Sequence, residues 1–358
     1  MHPASPAAPV GAEPSSPAAD GADAASADDV LCARVPPQAA GERLDKVLAQ
    51  LFPAFSRSRL KVWCEAGRVR SGGDAATPRL KARAGALIEL RVPVDAEAAS
   101  FAPEPIALQV VWSDADLAVI DKPPGMVVHP AAGNWSGTLL NGLLARFPPC
   151  AALPRAGIVH RLDKDTSGLL VVALTLVAQT DLVRQLQARS VSRQYLALAW
   201  GALPEARSVD APIGRHPRDR LRMAVVASGK PAQTLFEPLA TVSTAFGPVT
   251  ALRCRLRTGR THQIRVHAQH LGLPLLGDAL YGRRGLPGGD ARAADAAQRR
   301  AVEALGRQAL HAAALRFVHP RTGEAQGFVS PVTADVRTLW LALGGDAAVL
   351  DVAGWSGG

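Results

Sequence analysis

Residues 157–174 read GIVHRLDKDTSGLLVVAL, placing five ionisable side chains (His160, Arg161, Asp163, Lys164 and Asp165) between two apolar runs. Near a core such groups are costly unless they pair or work. The segment therefore reads as a loop that delivers a carboxylate to the edge of a site. The run behind it, Gly168–Leu174, suits a strand buried on both faces. Thr175 then caps a helix on which Ala178, Leu182, Val183 and Leu186 share one face.

Upstream, Leu117–Ile120 and Met126–Val128 read as short strands flanking the turn Lys122-Pro123-Pro124-Gly125; downstream, Tyr195–Trp200 is strand-like. Residues 251–257 alternate Leu252, Cys254 and Leu256 with Arg253, Arg255 and Arg257, which sets three guanidiniums on one strand face as candidate phosphate contacts. Thr258-Gly259 turns the chain into a helix aligning Ile264, Ala268 and Leu271, stopped by Gly272 and Pro274. Residues 283–300 read as a surface insertion. No regular βαβ alternation appears, so the fold expected is α+β with a mixed, largely antiparallel sheet.

Nearer the start, Leu44, Val47, Leu48 and Leu51 form an apolar helix stripe ended by Pro53. Ser56 is placed to cap a second helix carrying Arg57, Arg59 and Lys61, and β-like segments follow at 68–70 and 86–92. The organisation expected is a disordered tail at 1–30, a small RNA-binding module at 31–92, a linker at 93–106, a catalytic domain at 107–345 and a C-terminal tail at 346–358. With 358 residues there is room for about two domains.

The chain holds 40 Lys and Arg against 31 Asp and Glu, a net +9; residues 1–30 carry −5, leaving +14 on the rest. A body that basic points to a polyanion, most commonly nucleic acid. No run of about 18 apolar residues offers a membrane span. Cys32, Cys64, Cys150 and Cys254 form no C-x-x-C pair, which argues against a disulfide framework or a cysteine zinc site. A cytoplasmic address and no metal are expected. His160, His262, His267 and His270 lack an H-E-x-x-H frame, so hydrogen bonding or phosphate contact is the simpler role. A kinase catalytic loop also groups His, Arg and Asp, but Leu162 interrupts the triplet and neither G-x-G-x-x-G nor Asp-Phe-Gly is present. With no G-x-S-x-G elbow, P-loop or dinucleotide fingerprint, what remains is a cofactor-free carboxylate.

A second constellation, TGRTHQIRVH at 258–267, is followed by LPLLGDALYG at 273–282. There Arg260 and Arg265 could hold a phosphate or neutralise a catalytic carboxylate. Together with HRLDKDTSGLL at 160–170, DKPPGMVVHP at 121–130 and SRQY at 192–195, these stretches resemble the ordered motifs of the RluA-type pseudouridine synthases over about residues 32–333. The 31–92 module resembles the S4 RNA-binding domain, with Ser71-Gly72-Gly73 where an Asn-Gly turn is usual.

The resemblance implies isomerisation of uridine to pseudouridine in 23S rRNA or a large-subunit precursor, at the helix 69 loop, with no cofactor; the alternatives are another rRNA site or tRNA, or a non-catalytic ribosome-assembly protein, and the oligomeric state favoured is a monomer. It makes Asp163 the catalytic aspartate, pairs Arg265 with its carboxylate, and gives Tyr195 a role in stacking or proton transfer. Arg161 would help displace the uridine and Leu275 would line the uracil pocket. His160, Arg57, Arg59 and Lys61 are the remaining expected RNA contacts. Because the reacting face is closed within a stack, the base must be extruded, and aromatic and guanidinium groups offset that cost.

Overall fold

In the computed structural model, residues 29–52, 57–92, 102–130, 136–219, 221–283 and 293–357 are described. The chain divides into two compact units, Met1–Ala96 and Glu97–Gly358.

In the first unit, α1 (Leu44–Leu51) and α2 (Arg57–Glu65) accompany an antiparallel sheet of order β1-β4-β2-β3, formed by β1 (Asp29–Arg34), β2 (Val69–Ser71), β3 (Asp74–Ala75) and β4 (Leu87–Val92). The apolar stripe does what its spacing predicts: Leu44, Val47 and Leu48 are fully buried with Leu60, Val69, Ile88 and Leu90. The strand β1 extends the module back to Asp29, inside the span expected to be tail, by pairing along β4 from Asp29↔Val92 to Arg34↔Leu87. The β2–β3 turn uses Gly72 and Gly73 at φ 62° and 93°. Two successive positive φ values are what a tight hairpin turn requires, so two glycines serve where Asn-Gly would. Residues 1–28, Pro53, Ser56 and 93–101, which carried expectations of a tail, a stop, a cap and a linker, lie outside the described residues.

The second unit is built on one mixed sheet. Its strands are β5 (Gln109–Ser113), β6 (Leu117–Lys122), β7 (Ser167–Ala173), β8 (Ser192–Trp200), β9 (Arg207–Asp210), β12 (Gln233–Thr244), β13 (Gly247–Leu256), β14 (Leu310–Val318) and β15 (Ala325–Val329); β10 (Ile213–Arg215) and β11 (Met223–Val225) form a separate ribbon. The order across the sheet is β5-β6-β7-β14-β8-β13-β12-β9, with β15 beside β14. Every pairing is antiparallel except the short β7–β14 contact at Ser167↔His311 and Gly168↔Ala312. At that contact Gly168 holds φ +108°, and a Cβ there would lie 2.3 Å from the Ala312 carbonyl oxygen, so only glycine allows the strands to meet.

Alternation sorts the strand side chains between two faces. On one face Ile120, Leu170, Val172, Tyr195, Ala197, Leu252 and Cys254 share a core with α3 (Leu139–Arg146) and α5 (Gln263–His270). On the other, α4 (Leu176–Gln187) covers Val119, Leu169 and Val171. Beside it, α6 (Ala293–Leu305) and α7 (Ala334–Ala342) cover Leu196, Leu198 and Trp200. The Thr175 cap forms as expected, its hydroxyl accepting from the Ala178 N–H at 3.2 Å.

Several expectations change. Met126–Val128 is loop rather than strand, because its Val127 and Val128 carbonyls receive the first N–H groups of α3. Part of the expected surface insertion is α6, which packs Val302 and Leu305 against the core. The end of the chain also folds inward, burying Leu350, Val352 and Trp355, where a tail is expected. Residues 102–106 belong to the second unit: Glu104 accepts from the Gly137 N–H and donates its own N–H to the Asn141 carbonyl. No helix among the described residues is long and apolar enough to cross a membrane.

Candidate active site

The loop His160–Thr166 enters the start of β7 at the middle of the sheet. Each residue from Asp163 to Ser167, the first of β7, is tied down. The Asp163 carbonyl accepts from the Thr166 N–H at 3.1 Å, closing a turn. Lys122, fully buried at the end of β6, donates from Nζ to the carbonyls of Pro123, Met126 and Lys164 at 2.8, 3.0 and 2.9 Å. Burial pulls its pKa down to about 8 against the pull of Asp165 and Asp163. Arg307, just before β14, donates to the Asp165 carbonyl at 3.0 Å and holds Asp335 through Nε at 2.7 Å. Gln308 donates to the Thr166 hydroxyl, and Ser167 bonds the buried His311, whose Nε2 faces the Ser330 carbonyl. Two buried cations thus grip consecutive carbonyls beside Asp163.

The Asp163 carboxylate accepts from Nη1 of Arg265 at 3.2 Å. Arg265, in the first turn of α5, is itself fixed from its other edge. Its Nε and Nη2 donate to the two oxygens of Asp278 at 2.7 and 2.8 Å. Asp278 also accepts the N–H groups of Leu280 and Tyr281 at 2.9 and 3.0 Å. Burial alone would raise the Asp278 pKa, but these donors hold it below the ordinary carboxylate value. Burial likewise opposes the Arg265 charge, and the two aspartates outweigh it, raising its pKa beyond the usual arginine range. The Arg265 guanidinium lies 5.0 Å from the centre of the Tyr281 ring. The Tyr281 hydroxyl accepts from the Met223 N–H at 2.7 Å and pairs with His262 Nδ1 at 2.8 Å. The result is an arginine with one free duty, aiming Asp163.

Beside this pair opens a cavity of about 850 Å³. Tyr195, at mid-β8, lines it and is 5% exposed. Burial pushes its hydroxyl pKa up to about 12, so the ring is neutral at pH 7. Among the described residues, seven arginines line the same cavity against one carboxylate, Asp163. Arg155, Arg189 and His262, also in its wall, hold φ values of 54°, 60° and 57°, a conformation non-glycine residues seldom adopt. Such strain gathers where surrounding contacts over-determine a functional geometry.

The structure brings together Asp163, Arg265, Tyr195, Arg161 and His160, with Arg161 exposed at the mouth. His160 Nε2 accepts from the Val171 N–H at 3.1 Å, which leaves the ring proton on Nδ1. Leu275 is not brought to the cavity: it is fully buried and bridges Ala199 in the core behind the site, while Leu256, Ile264 and Leu310 supply the apolar wall. Arg253 and Arg255 are not on the cavity side either. Leu252 and Cys254 face the core that Tyr195 joins, so the arginines project from the opposite face. There Arg253 stacks on Trp355 at 4.7 Å and Arg255 pairs with Glu237 at 2.7 Å. Only Arg257, where the strand gives way to loop, reaches the cavity. In the first unit Arg57 is drawn back to the buried Asp45 at 2.8 Å and Lys61 lies 3.7 Å from Glu65. The Arg59 side chain is outside the described residues.

Sequence reasoning missed Lys122, Arg193, Asp278, Tyr281 and Arg307 as parts of the site. The signal for Asp278 was a charged residue inside the apolar run Leu273–Leu280, and for Lys122 a lysine closing an apolar strand. Away from the cavity, Asp114, Asp116 and His319 lie within metal-ligating distance of one another. That cluster is already occupied internally: Arg321 engages Asp116, and His319 Nε2 lies 2.8 Å from Asp114.

A family model described as RNA pseudouridylate synthase matches residues 116–270, and one for the S4 domain matches residues 42–88. Ribosomal large subunit pseudouridine synthase D of Xanthomonas campestris pv. campestris is 51% identical over 319 residues, which cover 88% of this chain and 93% of that protein. This chain belongs to the RNA pseudouridylate synthase family. The protein of the same name from Pasteurella multocida is 47% identical across 89% of this synthase and 97% of its own length. Among solved structures, human RNA pseudouridylate synthase domain containing 4 aligns with a TM-score of 0.50 at 22% identity, covering 66% of this synthase and 92% of that chain, which bears on the fold alone. The α+β architecture with its largely antiparallel sheet is thus that of the pseudouridine synthases, with an S4 domain ahead of it.

Proposed function

We propose that this synthase converts uridine to pseudouridine in 23S rRNA of the large ribosomal subunit, at the helix 69 loop, working as a cytoplasmic monomer with Asp163 as the catalytic residue. The observation that carries this reading is the Asp163 carboxylate, aimed by Arg265 and set at the edge of an arginine-rich cavity beside Tyr195.

The reaction is balanced within the substrate. The N1–C1′ bond breaks, a C5–C1′ bond forms, C5 loses a proton and N1 gains one. No electron or group donor is consumed. Attack by a carboxylate on C1′, attack on C6, or assistance to the departing uracil all require that carboxylate beside the ring, and Asp163 is held for each. Tyr195 offers a neutral ring on which the extruded base stacks and a hydroxyl that can pass a proton. Arg161, exposed at the mouth, suits the gap left in the RNA stack. The remaining cavity arginines meet phosphates, giving salt-dependent affinity without reading sequence. Arg57, Arg59 and Lys61 of the S4 domain would add contacts of the same kind.

The deciding experiment is carbodiimide-adduct primer extension on unmodified 23S rRNA incubated with the purified protein, since isomerisation leaves mass unchanged. New stops that vanish with Asp163→Asn support the reading and locate the target. Stops elsewhere in the rRNA would move the target away from helix 69. No stops on naked rRNA, assembled subunits or tRNA would favour a binding protein that retains the fold.

A further inference from the structure

Among the described residues of the second unit, three arginines are buried to within 7% exposure: Arg193, Arg265 and Arg307. Two of them meet carboxylates, Arg265 on Asp163 and Asp278, and Arg307 on Asp335. Among the described residues Arg193 has no carboxylate partner, and its buried Nε makes no hydrogen bond. A desolvated guanidinium with no counter-charge is among the costliest arrangements a fold can hold. Burial presses its pKa down, and the group that acts on it electrostatically is the Tyr195 hydroxyl.

A second orphan faces the same cavity. With Nε2 of His160 occupied as an acceptor, Nδ1 carries the proton, and it too is buried without a partner. Arg193 is near enough to help hold this ring neutral. Room for the guanidinium comes from Gly259, where a Cβ would stand 2.7 Å from Nη1 of Arg193. Gly259 has no positive φ that would demand glycine, so the absence of a side chain there serves the arginine.

We propose that Arg193, with His160 beside it in the cavity wall, forms the seat for a phosphodiester of the extruded nucleotide, the anion that supplies the guanidinium with its missing counter-charge. A full negative charge with acceptor oxygens is what an uncompensated guanidinium lacks; a neutral base carbonyl would supply the oxygen without the charge. Arg193 and Tyr195 are two positions apart on β8 and share a face, which sets them roughly 7 Å apart along the strand. That is the scale of the distance from a base to its own phosphate, so a uracil on Tyr195 brings its phosphate to Arg193. The inference rests on the proposed function, because it takes RNA as the substrate.

The test replaces the phosphates flanking the target uridine one at a time with uncharged methylphosphonates, in an rRNA fragment that the wild-type protein modifies. Replacement of the 5′ phosphate of the target uridine should lower wild-type kcat/KM by about 30-fold or more, and Arg193→Gln should lose about as much on the native RNA. On the modified RNA, Arg193→Gln should lose no further activity, and Arg193→Lys should recover part of the loss on native RNA by restoring the charge without the fork. Equal effects at every linkage, or losses from variant and methylphosphonate that multiply, would overturn the proposal. If wild type modifies no ribosomal RNA, the functional reading fails separately and a binding measurement decides this one. Uridine 5′-monophosphate should raise the Tm of wild type more than uridine does, and not that of Arg193→Gln. Equal shifts with nucleoside and nucleotide would overturn the seat. Should Arg193→Gln not fold, the wild-type methylphosphonate and nucleotide comparisons decide between the same two outcomes.

Discussion

Replacing Asp278 by asparagine keeps the side-chain shape and removes its charge, which isolates what this carboxylate does for Arg265. The amide oxygen can still accept from Leu280 and Tyr281, but the amide nitrogen must then face the Arg265 Nε–H, donor against donor, where a 2.7 Å bond stood. Breaking a buried pair from one side costs about 3–5 kcal/mol. The surviving contact to Asp163 retains part of the partnership, so about 3 kcal/mol is the expected loss. In a domain of this size each kcal/mol moves Tm by roughly 2–4 °C, which predicts a fall of about 6–12 °C by calorimetry. Arg265 would keep its 3.2 Å contact to Asp163 and its Nη2 bond to the amide oxygen, but its guanidinium would no longer be fixed through both Nε and Nη2 along its other edge. Turnover should then fall at least about 10-fold, equivalent to about 1.4 kcal/mol of transition-state stabilisation. Tritium release measures it directly, because RNA carrying uridine tritiated at C5 loses that hydrogen to solvent when the C5–C1′ bond forms. A Tm within about 2 °C of wild type together with turnover within about 2-fold would refute the account of Asp278 as the anchor of Arg265.

Asp163→Asn should abolish product while leaving RNA affinity within about 3-fold, measured by filter binding, because it removes chemistry and no phosphate contact. Gly168→Ala should cost at least about 3 kcal/mol in urea unfolding, since the new methyl group must displace the Ala312 carbonyl and the backbone conformation is strained besides. Asp116, Asp278 and Asp335 all have pKa values below the ordinary carboxylate range in the folded protein. The unfolded chain therefore takes up protons first as pH falls. His129 and His160, whose pKa values burial pushes down to about 4 and about 3, also take up protons first in the unfolded chain, so stability should begin to fall below about pH 6.5 and drop more steeply below about pH 4, read from urea midpoints. Removing residues 29–92 should lower the slope of log affinity against log salt by about 2 if Arg57, Arg59 and Lys61 each meet a phosphate. An unchanged slope would assign the S4 domain no electrostatic share in binding.

The parts of the site that are legible in the sequence are those whose chemistry is local. Asp163, Arg265 and Tyr195 each lie in a short motif, and the strand after Asp163 declares itself by an unbroken apolar run. The period-two stretch 251–257 is a strand, as its alternation says, but periodicity cannot tell which face turns to the cavity, and Arg253 and Arg255 are on the other one. Leu275 lies in a motif beside the site, yet a bridge to Ala199 carries it into the core. Lys122 and Arg307 are invisible as a pair because they act on the same loop from opposite ends of the domain. Asp278 stands in the sequence as a charge with no evident partner, and its partner is 13 positions earlier on a helix whose orientation no local rule fixes.

The strand β14 lies between β7 and β8, two strands that follow one another along the chain. Asp163 precedes β7 and Tyr195 is on β8, so the strand that sets their spacing is the one completed at Val318. During synthesis at about 5–20 residues per second, roughly 6–25 s separate the appearance of Tyr195 from the end of that strand. Before that interval closes the nascent chain already holds Asp163, Tyr195 and Arg265, but without β14 they cannot take up their working distances. Arg307, which grips the Asp165 carbonyl, also arrives only with this late segment. Inserting a strand between two earlier ones is a slow, non-local step. Activity is therefore withheld until nearly the whole domain exists, and an incomplete chain carries the chemistry without the means to use it.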